Sequence, residues 1–169
     1  LFTHPQLADL ALDVAEAEQA TLGAIGQVAR DQPLPVSYAQ QRLWFIKQMD
    51  PGSHVYNIAA AFRMRGRIDL AAFERTFADL VVRHESLRTR FLAIEGTPRC
   101  AIDSQAAVAI ERLDLTSLDV DAGELAAMDA MVALSKRPFD IAHAPLLHCL
   151  LIKVASDRHY FSFCIDHIV

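Results

Sequence analysis

The chain is organised around its final stretch, Phe161-Ser162-Phe163-Cys164-Ile165-Asp166-His167-Ile168-Val169. An apolar, aromatic-rich run of this length predicts a β-strand buried on both faces. Two ionisable side chains, Asp166 and His167, interrupt it, and a buried strand carries such groups only where they are paired or used. Because strand side chains alternate, the two should point to opposite faces, with His167 on the face of Ile165 and Phe163. A catalytic dyad between them is therefore not expected.

Composition and charge limit the possible functions. The chain has 169 residues, of which 53% are apolar and 22% charged, as expected for one globular domain with a substantial core. The net charge of -5 and the lack of a basic run argue against a nucleic-acid partner. No apolar run reaches the roughly 20 residues of a membrane span, and the first residues lack the pattern of a signal peptide. We therefore predict no membrane partner and a cytoplasmic location.

The three cysteines, Cys100, Cys149 and Cys164, form no CxxC pair. The last two lie in strand-like apolar runs, where a reduced and packed thiol is the common outcome. We predict that all three are structural.

The first part of the chain differs in composition from the rest. Residues 1–15 have apolar residues at helical spacing after Pro5 and predict one short helix. Residues 16–33 are rich in Ala, Gly and Gln and end near Pro33 and Pro35, which predicts a linker. The main domain should then cover residues 34–169.

Helix signals recur along this main domain. Ser37 and Gln40 have the spacing of a capping box, which predicts a helix over about 38–49, and Asp69 is a plausible N-cap for the next helix. The apolar stripe of that second helix contains Leu70, Phe73, Phe77, Leu80 and Val81. A third helix is predicted to open at 121–124, to turn Leu125, Met128 and Val132 inward, and to stop at Pro138.

Strands are predicted at about 56–64, near 91, near 100, and at 146–154 and 160–168. The turns between them are expected at 95–98 and 155–158. Helices and strands mix without strict βαβ alternation or repeats. The predicted fold class is therefore α+β, a sandwich with a mixed sheet.

His167 is the main candidate for chemistry. A lone histidine on an apolar strand is usually a satisfied core residue, but the end of a strand also holds a side chain rigid at its base and open at its tip. A metal site is the competing interpretation, because several possible ligands lie close in sequence: His143, His148, His159, Asp166 and His167. Their spacing fits no known ligand pattern, so no metal is predicted. Cys164 is on the wrong face for a nucleophile activated by His167, and no Gly-rich phosphate loop occurs.

The charged segment from Arg83 to Phe91 joins a helix to a strand. Arg83, His84, Glu85 and Arg88 could cradle an anionic ligand. Charges at such a junction more often form an internal ion-pair network, and we favour that structural role.

Three segments together resemble the condensation domains of nonribosomal peptide synthetases. Ser37-Tyr38-Ala39-Gln40-Gln41-Arg42-Leu43-Trp44-Phe45 resembles the first signature of that family. Arg83-His84-Glu85-Ser86-Leu87-Arg88-Thr89-Arg90-Phe91 resembles the second. Asp166-His167-Ile168-Val169 resembles the start of the third, His-His-x-x-x-Asp-Gly. The resemblance covers residues 34–169 and corresponds to the N-terminal half of such a domain. Residues 1–11 resemble, less specifically, the last helix of a carrier-protein domain.

The resemblance implies a fold similar to chloramphenicol acetyltransferase, with this chain as one lobe of a two-lobed V. It implies peptide-bond formation between a donor thioester and an acceptor amine, both carried on phosphopantetheine arms. No cofactor would be bound directly. The implied partners are the donor and acceptor carrier domains, the C-terminal lobe and a neighbouring adenylation domain. His167 would be the catalytic residue, as base or positioner, and the isolated fragment should be inactive.

Asp166 departs from the family pattern, because it replaces the first His of the third signature. It is similar to the Asp that opens the Asp-x-x-x-x-Asp motif of heterocyclisation relatives, which do not normally keep the following His. Epimerisation relatives keep both histidines but differ in the first signature. We interpret Asp166 as a structural substitute. The remaining alternative is a degenerate or carrier-docking lobe without catalysis.

Overall fold

A computed structural model describes residues 6–16 and 26–169 of the chain. The helices are α1 Leu7–Glu16, α2 Tyr38–Met49, α3 Leu70–Arg83 and α4 Val120–Ser135, with a short 3₁₀ helix at Glu85–Arg88. The strands are β1 Leu34–Pro35, β2 Asn57–Arg65, β3 Thr89–Ile94, β4 Thr97–Ile102, β5 Ile110–Asp114, β6 Leu147–Ala155 and β7 Arg158–Asp166. The predicted mixture of helices and strands is confirmed.

The strands form two sheets. The larger has the order β2-β7-β6-β5, and the smaller has the order β1-β4-β3. In the larger sheet β5 runs parallel to β6, whereas the other neighbours are antiparallel. The sheet is therefore mixed, as predicted, and β7 lies inside it between β2 and β6.

The two faces of the larger sheet pack against different elements. On one face, Phe73 and Phe77 of α3 contact Phe161, each with ring centroids 5.0 Å apart. On the other face, α4 and residues of the smaller sheet pack around Ile152, Tyr160 and Cys164. Because β7 contributes to both layers, it is buried on both sides as the sequence predicted.

Helix α3 follows its sequence signals closely. Asp69 caps it by accepting a 3.0 Å hydrogen bond from the backbone N–H of Ala72. Of the predicted apolar stripe, Val81 is buried and Phe73 and Phe77 pack on the sheet, whereas the two remaining leucines at the helix ends are more open.

The face predicted for α4 was wrong. The helix starts at Val120, with Asp119 as its N-cap, and it turns Gly123, Ala127 and Leu134 towards the sheet. The three side chains predicted to point inward are exposed: Leu125, Met128 and Val132. Two of these inner residues, Gly123 and Ala127, are small, and they let the helix approach the sheet closely. A Cβ built on Gly123 would lie 3.0 Å from Cγ1 of Val154.

The structure contains two strands that the sequence analysis does not predict. Strand β5 occupies a segment without a strand signal, and β1 consists of only two residues, Leu34 and Pro35. Strand β5 is short, and its exposed residues Glu111 and Arg112 mask the apolar alternation. The predicted turn at 95–98 is confirmed, with both Glu95 and Gly96 at positive φ, which matches a two-residue hairpin turn.

Helix α1 confirms the N-terminal helix over Leu7–Glu16. Residues 1–5 of that prediction, and residues 17–25 of the predicted linker, lie outside the described part. No helix within 6–16 and 26–169 is both long and apolar enough to cross a membrane.

Candidate active site

The strand predicted at 160–168 was placed too far along the chain: β7 ends at Asp166, and His167 lies in the turn that follows it. Its backbone N–H donates a 3.0 Å hydrogen bond to the carbonyl of Tyr56, which precedes β2. The residue is exposed, and its imidazole makes no hydrogen bond to any residue within 6–16 and 26–169. The backbone of His167 is therefore fixed while both ring nitrogens remain available.

Asp166 is buried, with 3% of its surface exposed. One carboxylate oxygen, Oδ1, accepts a 3.1 Å hydrogen bond from the N–H of Ile168 and so closes the turn across His167. The other, Oδ2, lies 3.2 Å from Nζ of Lys47. The same ammonium donates a 2.8 Å hydrogen bond to the carbonyl of Ser53. Asp166 thus links the residue after His167, Ile168, to Lys47 of α2.

Helix α2 supports the turn at two points on one helical face. Near its C-terminal end, Lys47 pairs with Asp166. At its start, Nε2 of Gln40 donates a 3.1 Å hydrogen bond to the carbonyl of Ile168. Gln40 also completes the predicted capping box, since its side chain accepts from the N–H of Ser37 at 3.0 Å. Residues seven apart on a helix lie on one face, so one rigid element positions the whole turn.

The sequence reasoning missed Lys47, and it assigned Gln40 only to the helix cap. The available signal was the seven-residue spacing of these two polar residues on the face that also carries the packed Leu43 and Trp44. A lysine on such a face requires an acidic partner, and Asp166 was the unexplained acid.

A partly open apolar surface leads along the sheet towards the turn. Strand pairing places Ile58 of β2 opposite Ile165 of β7, and Ala60 opposite Phe163. Ile58 and Phe62 are 47% and 51% exposed. The surface ends at Ile165, two residues before His167.

The predicted ion-pair network among His84, Glu85 and Arg88 is absent from the described residues. Arg88 instead donates to the carbonyls of Val81 and Val82 at 2.9 and 3.1 Å and thereby closes the end of α3.

Glu85 pairs outside the segment, with Arg30 at 2.9 Å. The hydrogen bond from this guanidinium lowers the pKa of the Glu85 carboxyl. Arg83 and His84 are exposed. Within 6–16 and 26–169, no hydrogen bond or ion pair joins these side chains to the turn that carries His167.

The cysteines are free and buried, as predicted. Burial raises the pKa of all three thiols, for Cys149 to about 12. A thiol with so high a pKa is a poor nucleophile. Among the described residues, no group of three or more His, Cys, Asp or Glu side chains is arranged to hold a metal ion.

Comparison with known sequences identifies one family. The sequence-family model described as "Condensation domain" matches residues 30–169. A linear gramicidin synthase of Brevibacillus parabrevis is 36% identical over 173 residues, which cover 100% of this chain and 2% of that protein. Tyrocidine synthase 2 of the same organism is 36% identical over 169 residues, which cover 100% of this chain and 4% of that protein. The chain therefore spans a very small part of the curated relatives that it matches.

Solved structures agree with this match. The starter condensation domain of rhizomide synthetase RzmA has a TM-score of 0.74 and 29% identity, over 82% of this chain and 33% of that one. A variant of the same domain in complex with C8-CoA has a TM-score of 0.73 and 28% identity, over 81% of this chain and 31% of that one. The fold described above is thus that of about one third of these domains.

Proposed function

This chain belongs to the condensation domain family, and we propose that the protein containing it forms peptide bonds between two carrier-bound substrates in nonribosomal peptide synthesis. The observation that carries the proposal is that the imidazole of His167 is exposed on a turn whose backbone is held by three hydrogen bonds. Tyr56 accepts its N–H, and Asp166 and Gln40 hold the next residue, Ile168. A catalytic group needs this combination of a rigid base and a free tip.

The proposed reaction transfers an acyl group from sulfur to nitrogen. The acceptor amine attacks the carbonyl carbon of the donor thioester, so that a C–N bond forms and the C–S bond breaks. The amine loses a proton, and the departing thiolate gains one. A neutral imidazole at His167 would accept a hydrogen bond from the amine, to orient it or to take its proton, in line with its two free ring nitrogens.

Both substrates would arrive as thioesters on the phosphopantetheine arms of donor and acceptor carrier domains. The complex of the similar starter domain with C8-CoA supports this, because coenzyme A carries its acyl group on the same type of arm. The domain itself would bind no further cofactor. The open apolar surface at Ile58 and Phe62 provides one wall for a substrate, and the C-terminal lobe of the same domain would provide the other.

The proposed domain organisation retains the divisions 1–15, 16–33 and 34–169. In it α1 is the last helix of a preceding carrier domain, and 34–169 is the N-terminal lobe of the condensation domain. The exposed apolar side chains of α1, Leu7, Leu12 and Val14, are in keeping with a helix whose packing partner is not the condensation lobe. A neighbouring adenylation domain would load the carriers. The three free thiols suit the reducing cytoplasm, which we propose as the location.

Two groups of site predictions are carried into this proposal. His167 is the proposed catalytic residue, and Asp166 is the proposed brace. We assign Arg83, His84, Glu85 and Arg88 to structure near the site, on the strength of the contacts that Arg88 and Glu85 make with α3 and Arg30.

The test uses the complete protein with loaded donor and acceptor carriers and follows aminoacyl transfer by intact-protein mass spectrometry. His167→Ala should lower the transfer rate by roughly 100-fold or more, the usual contribution of a general acid or base. His167→Gln keeps a hydrogen-bonding side chain, so partial activity would indicate positioning, and equal loss in both variants would indicate proton transfer.

His143→Ala serves as the matched control, because it replaces another exposed histidine. Transfer at the wild-type rate by a folded His167→Ala variant would refute the catalytic assignment. A wild-type protein that transfers nothing would favour the degenerate or carrier-docking lobe. A transfer product that is one water lighter than the linear peptidyl product would indicate heterocyclisation, and inversion of the donor without transfer would indicate epimerisation.

A further inference from the structure

A second cavity lies at the opposite end of β7 from His167. Its volume is about 560 Å³, and it opens where α3 and the β6–β7 hairpin meet the edge strand β5. His159 lies in it, eight residues before His167, which corresponds to roughly 25 Å along an extended strand. The cavity is therefore remote from the proposed reaction. We call it the basic pocket, lined by Arg67, Ile68, Leu70, Arg112, Leu113, Asp114, Leu151, Lys153, Ser156 and His159.

Positive charge dominates the basic pocket. Three cationic side chains, Arg67, Arg112 and Lys153, line it, against one carboxylate, that of Asp114. One oxygen of this carboxylate, Oδ1, is already engaged, since it accepts from the N–H of Thr116 at 2.9 Å and from its hydroxyl at 2.6 Å. These two hydrogen bonds, followed by the more distant charge of Lys153, lower the pKa of Asp114.

The cations themselves are poorly paired. Arg112 has its nearest carboxylate, on Glu74, at 3.9 Å, which is too long for a hydrogen bond. Within 6–16 and 26–169, Arg67 and Lys153 make no side-chain hydrogen bond or ion pair. Lys153 is also half-buried, and a cation at such a depth gains from a counter-ion.

His159 adds a polar atom that points to a ligand. The residue is 6% exposed, and its Nδ1 is buried without a hydrogen-bond partner in the described part of the chain. Strand pairing places His159 of β7 and Asp114 of β5 on either side of Lys153 of β6, in one row on the same face of the sheet. Buried nitrogens are nearly always satisfied, so Nδ1 of His159 and the ammonium of Lys153 are two polar groups of the pocket that a ligand could bind.

The rest of the lining is apolar. Ile68 and Leu70 come from the segment where α3 begins, and Leu151 comes from the sheet. A site that combines aliphatic walls with two or three convergent polar groups suits a small organic ligand with a charged end.

We propose that the basic pocket is a second ligand site, which binds a small organic anion through Lys153, Arg67 and His159 and an aliphatic portion through Ile68, Leu70 and Leu151. The anionic group is a carboxylate or a phosphate monoester, since both offer the oxygen acceptors that an ammonium and a guanidinium bind. The proposal is independent of the reaction proposed for His167.

The experiment is isothermal titration calorimetry on the complete protein with octanoate and octyl phosphate as probes. At least one of the two should bind at least tenfold more tightly than inorganic phosphate, which lacks the aliphatic part, and than octanol, which lacks the charge. The stronger of the two acids identifies the head group.

Variants locate the binding. Lys153→Met should weaken the binding of the probe at least fivefold, and Arg67→Gln should do the same as a second variant on an exposed loop position. Lys136→Met, at the exposed end of α4, is the matched control and should bind like the wild type.

Three results would overturn the proposal: no binding of either acid, equal binding of octanol, or unchanged affinity in both Lys153→Met and Arg67→Gln. Thermal unfolding of each variant shows whether it is folded. Failure of this experiment would leave peptide-bond formation untouched, because the transfer assay does not depend on the basic pocket.

Discussion

Asp166 and Lys47 form an ion pair that is almost removed from water. Their side chains are 4% and 11% exposed, so both charges lose hydration on folding. Such a loss generally offsets much of the mutual attraction, which makes a buried pair a weak source of net stability. Its effect here is on geometry, because Asp166 also holds the N–H of Ile168 and so fixes the turn at His167.

We predict that Lys47→Met lowers the free energy of unfolding by about 3 kcal/mol, because it leaves a buried carboxylate without its partner. Chemical denaturation of the complete domain measures the change. The double variant Lys47→Met, Asp166→Asn should recover most of the loss, since it removes both charges and keeps an oxygen that accepts from the N–H of Ile168. Lys136→Met is the exposed control. A loss below about 1 kcal/mol in the single variant would contradict the prediction.

A second residue-scale prediction concerns His148, which stacks on Phe139 with ring centroids 4.2 Å apart. Burial, followed by the charge of Arg137, lowers the pKa of His148 below the ordinary value of 6.5. The unfolded chain therefore takes up a proton at higher pH than the folded one. The contribution of neutral His148 to stability is full above pH 6.5 and is lost as the pH falls through the folded pKa.

His148→Gln should consequently lose less stability than the wild type between pH 7 and pH 5. Urea unfolding at several pH values within this window measures the slope. His54→Gln replaces an exposed histidine and should keep the wild-type slope. Equal slopes in His148→Gln and the wild type would show that protonation of His148 does not oppose folding.

At the scale of elements, α2 links the capping of a helix to the geometry of the site. Gln40 bonds both Ser37 at the helix start and Ile168 in the catalytic turn. We predict that Gln40→Ala lowers stability by about 1 kcal/mol and slows peptide transfer by roughly tenfold through misplacement of His167.

Gln41→Ala is the matched control for this variant, because Gln41 is the neighbouring exposed residue of the same helix. Rates are compared at saturating carrier concentrations by the mass-spectrometric transfer assay. If Gln40→Ala and Gln41→Ala transfer equally fast, the contact with Ile168 has no positioning role.

Local signals predicted helix starts well, and tertiary packing decided the helix faces. Ser37 and Asp69 cap α2 and α3 as their sequences indicate, because a cap depends only on residues a few positions away. The buried face of α4 could not be found in this way. The sequence predicted that the larger apolar residues of α4 would be buried. Instead, Gly123 and Ala127 face the sheet and allow the helix backbone to approach β6. Sequence periodicity carries no information about the distance between a helix and a sheet.

The close approach of α4 gives a fourth prediction. Gly123→Leu should destabilise the domain by about 2 kcal/mol or more, because the new side chain would have to displace Val154. Ala133→Leu makes a similar change in size on the exposed side of α4 and should be nearly neutral. The melting temperatures of both variants are measured by thermal unfolding. Equal melting temperatures would mean that α4 can move away from the sheet to accommodate the larger side chain.

For the molecule as a whole, the sequence predicted the buried central strand and the fold class but not the complete sheet. Strand β7 was evident because both of its faces are apolar. The edge strand β5 was missed because Glu111 and Arg112 face solvent there, and its parallel pairing with β6 depends on residues about 40 positions away. Asp166 was recognised as unusual, but its partner Lys47 is more than 100 positions away and no local pattern connects them.

The exposed apolar surface leads to a whole-molecule prediction. Met128 and Val132 border a groove of about 290 Å³ between α4 and β2, and exposed apolar patches promote association. The 169-residue chain alone should therefore self-associate in sedimentation velocity experiments, and the double change Met128→Lys, Val132→Lys should reduce this. Val82→Lys, at an exposed apolar site on α3, is the control. If Val82→Lys reduces self-association as much as the double change does, the effect is a general one of added charge and not of the groove.

The central place of β7 also sets the order of events during synthesis on the ribosome. Strand β2 leaves the ribosome early, but its partner β7 follows after about ninety further residues. At roughly 5–20 residues per second, β2 waits about 5–20 s with its edge open. The turn that carries His167 is completed only after this delay, since it bonds Tyr56 just before β2. The nascent chain must therefore be kept from aggregation during this interval, and slow codons between β2 and β7 would lengthen it.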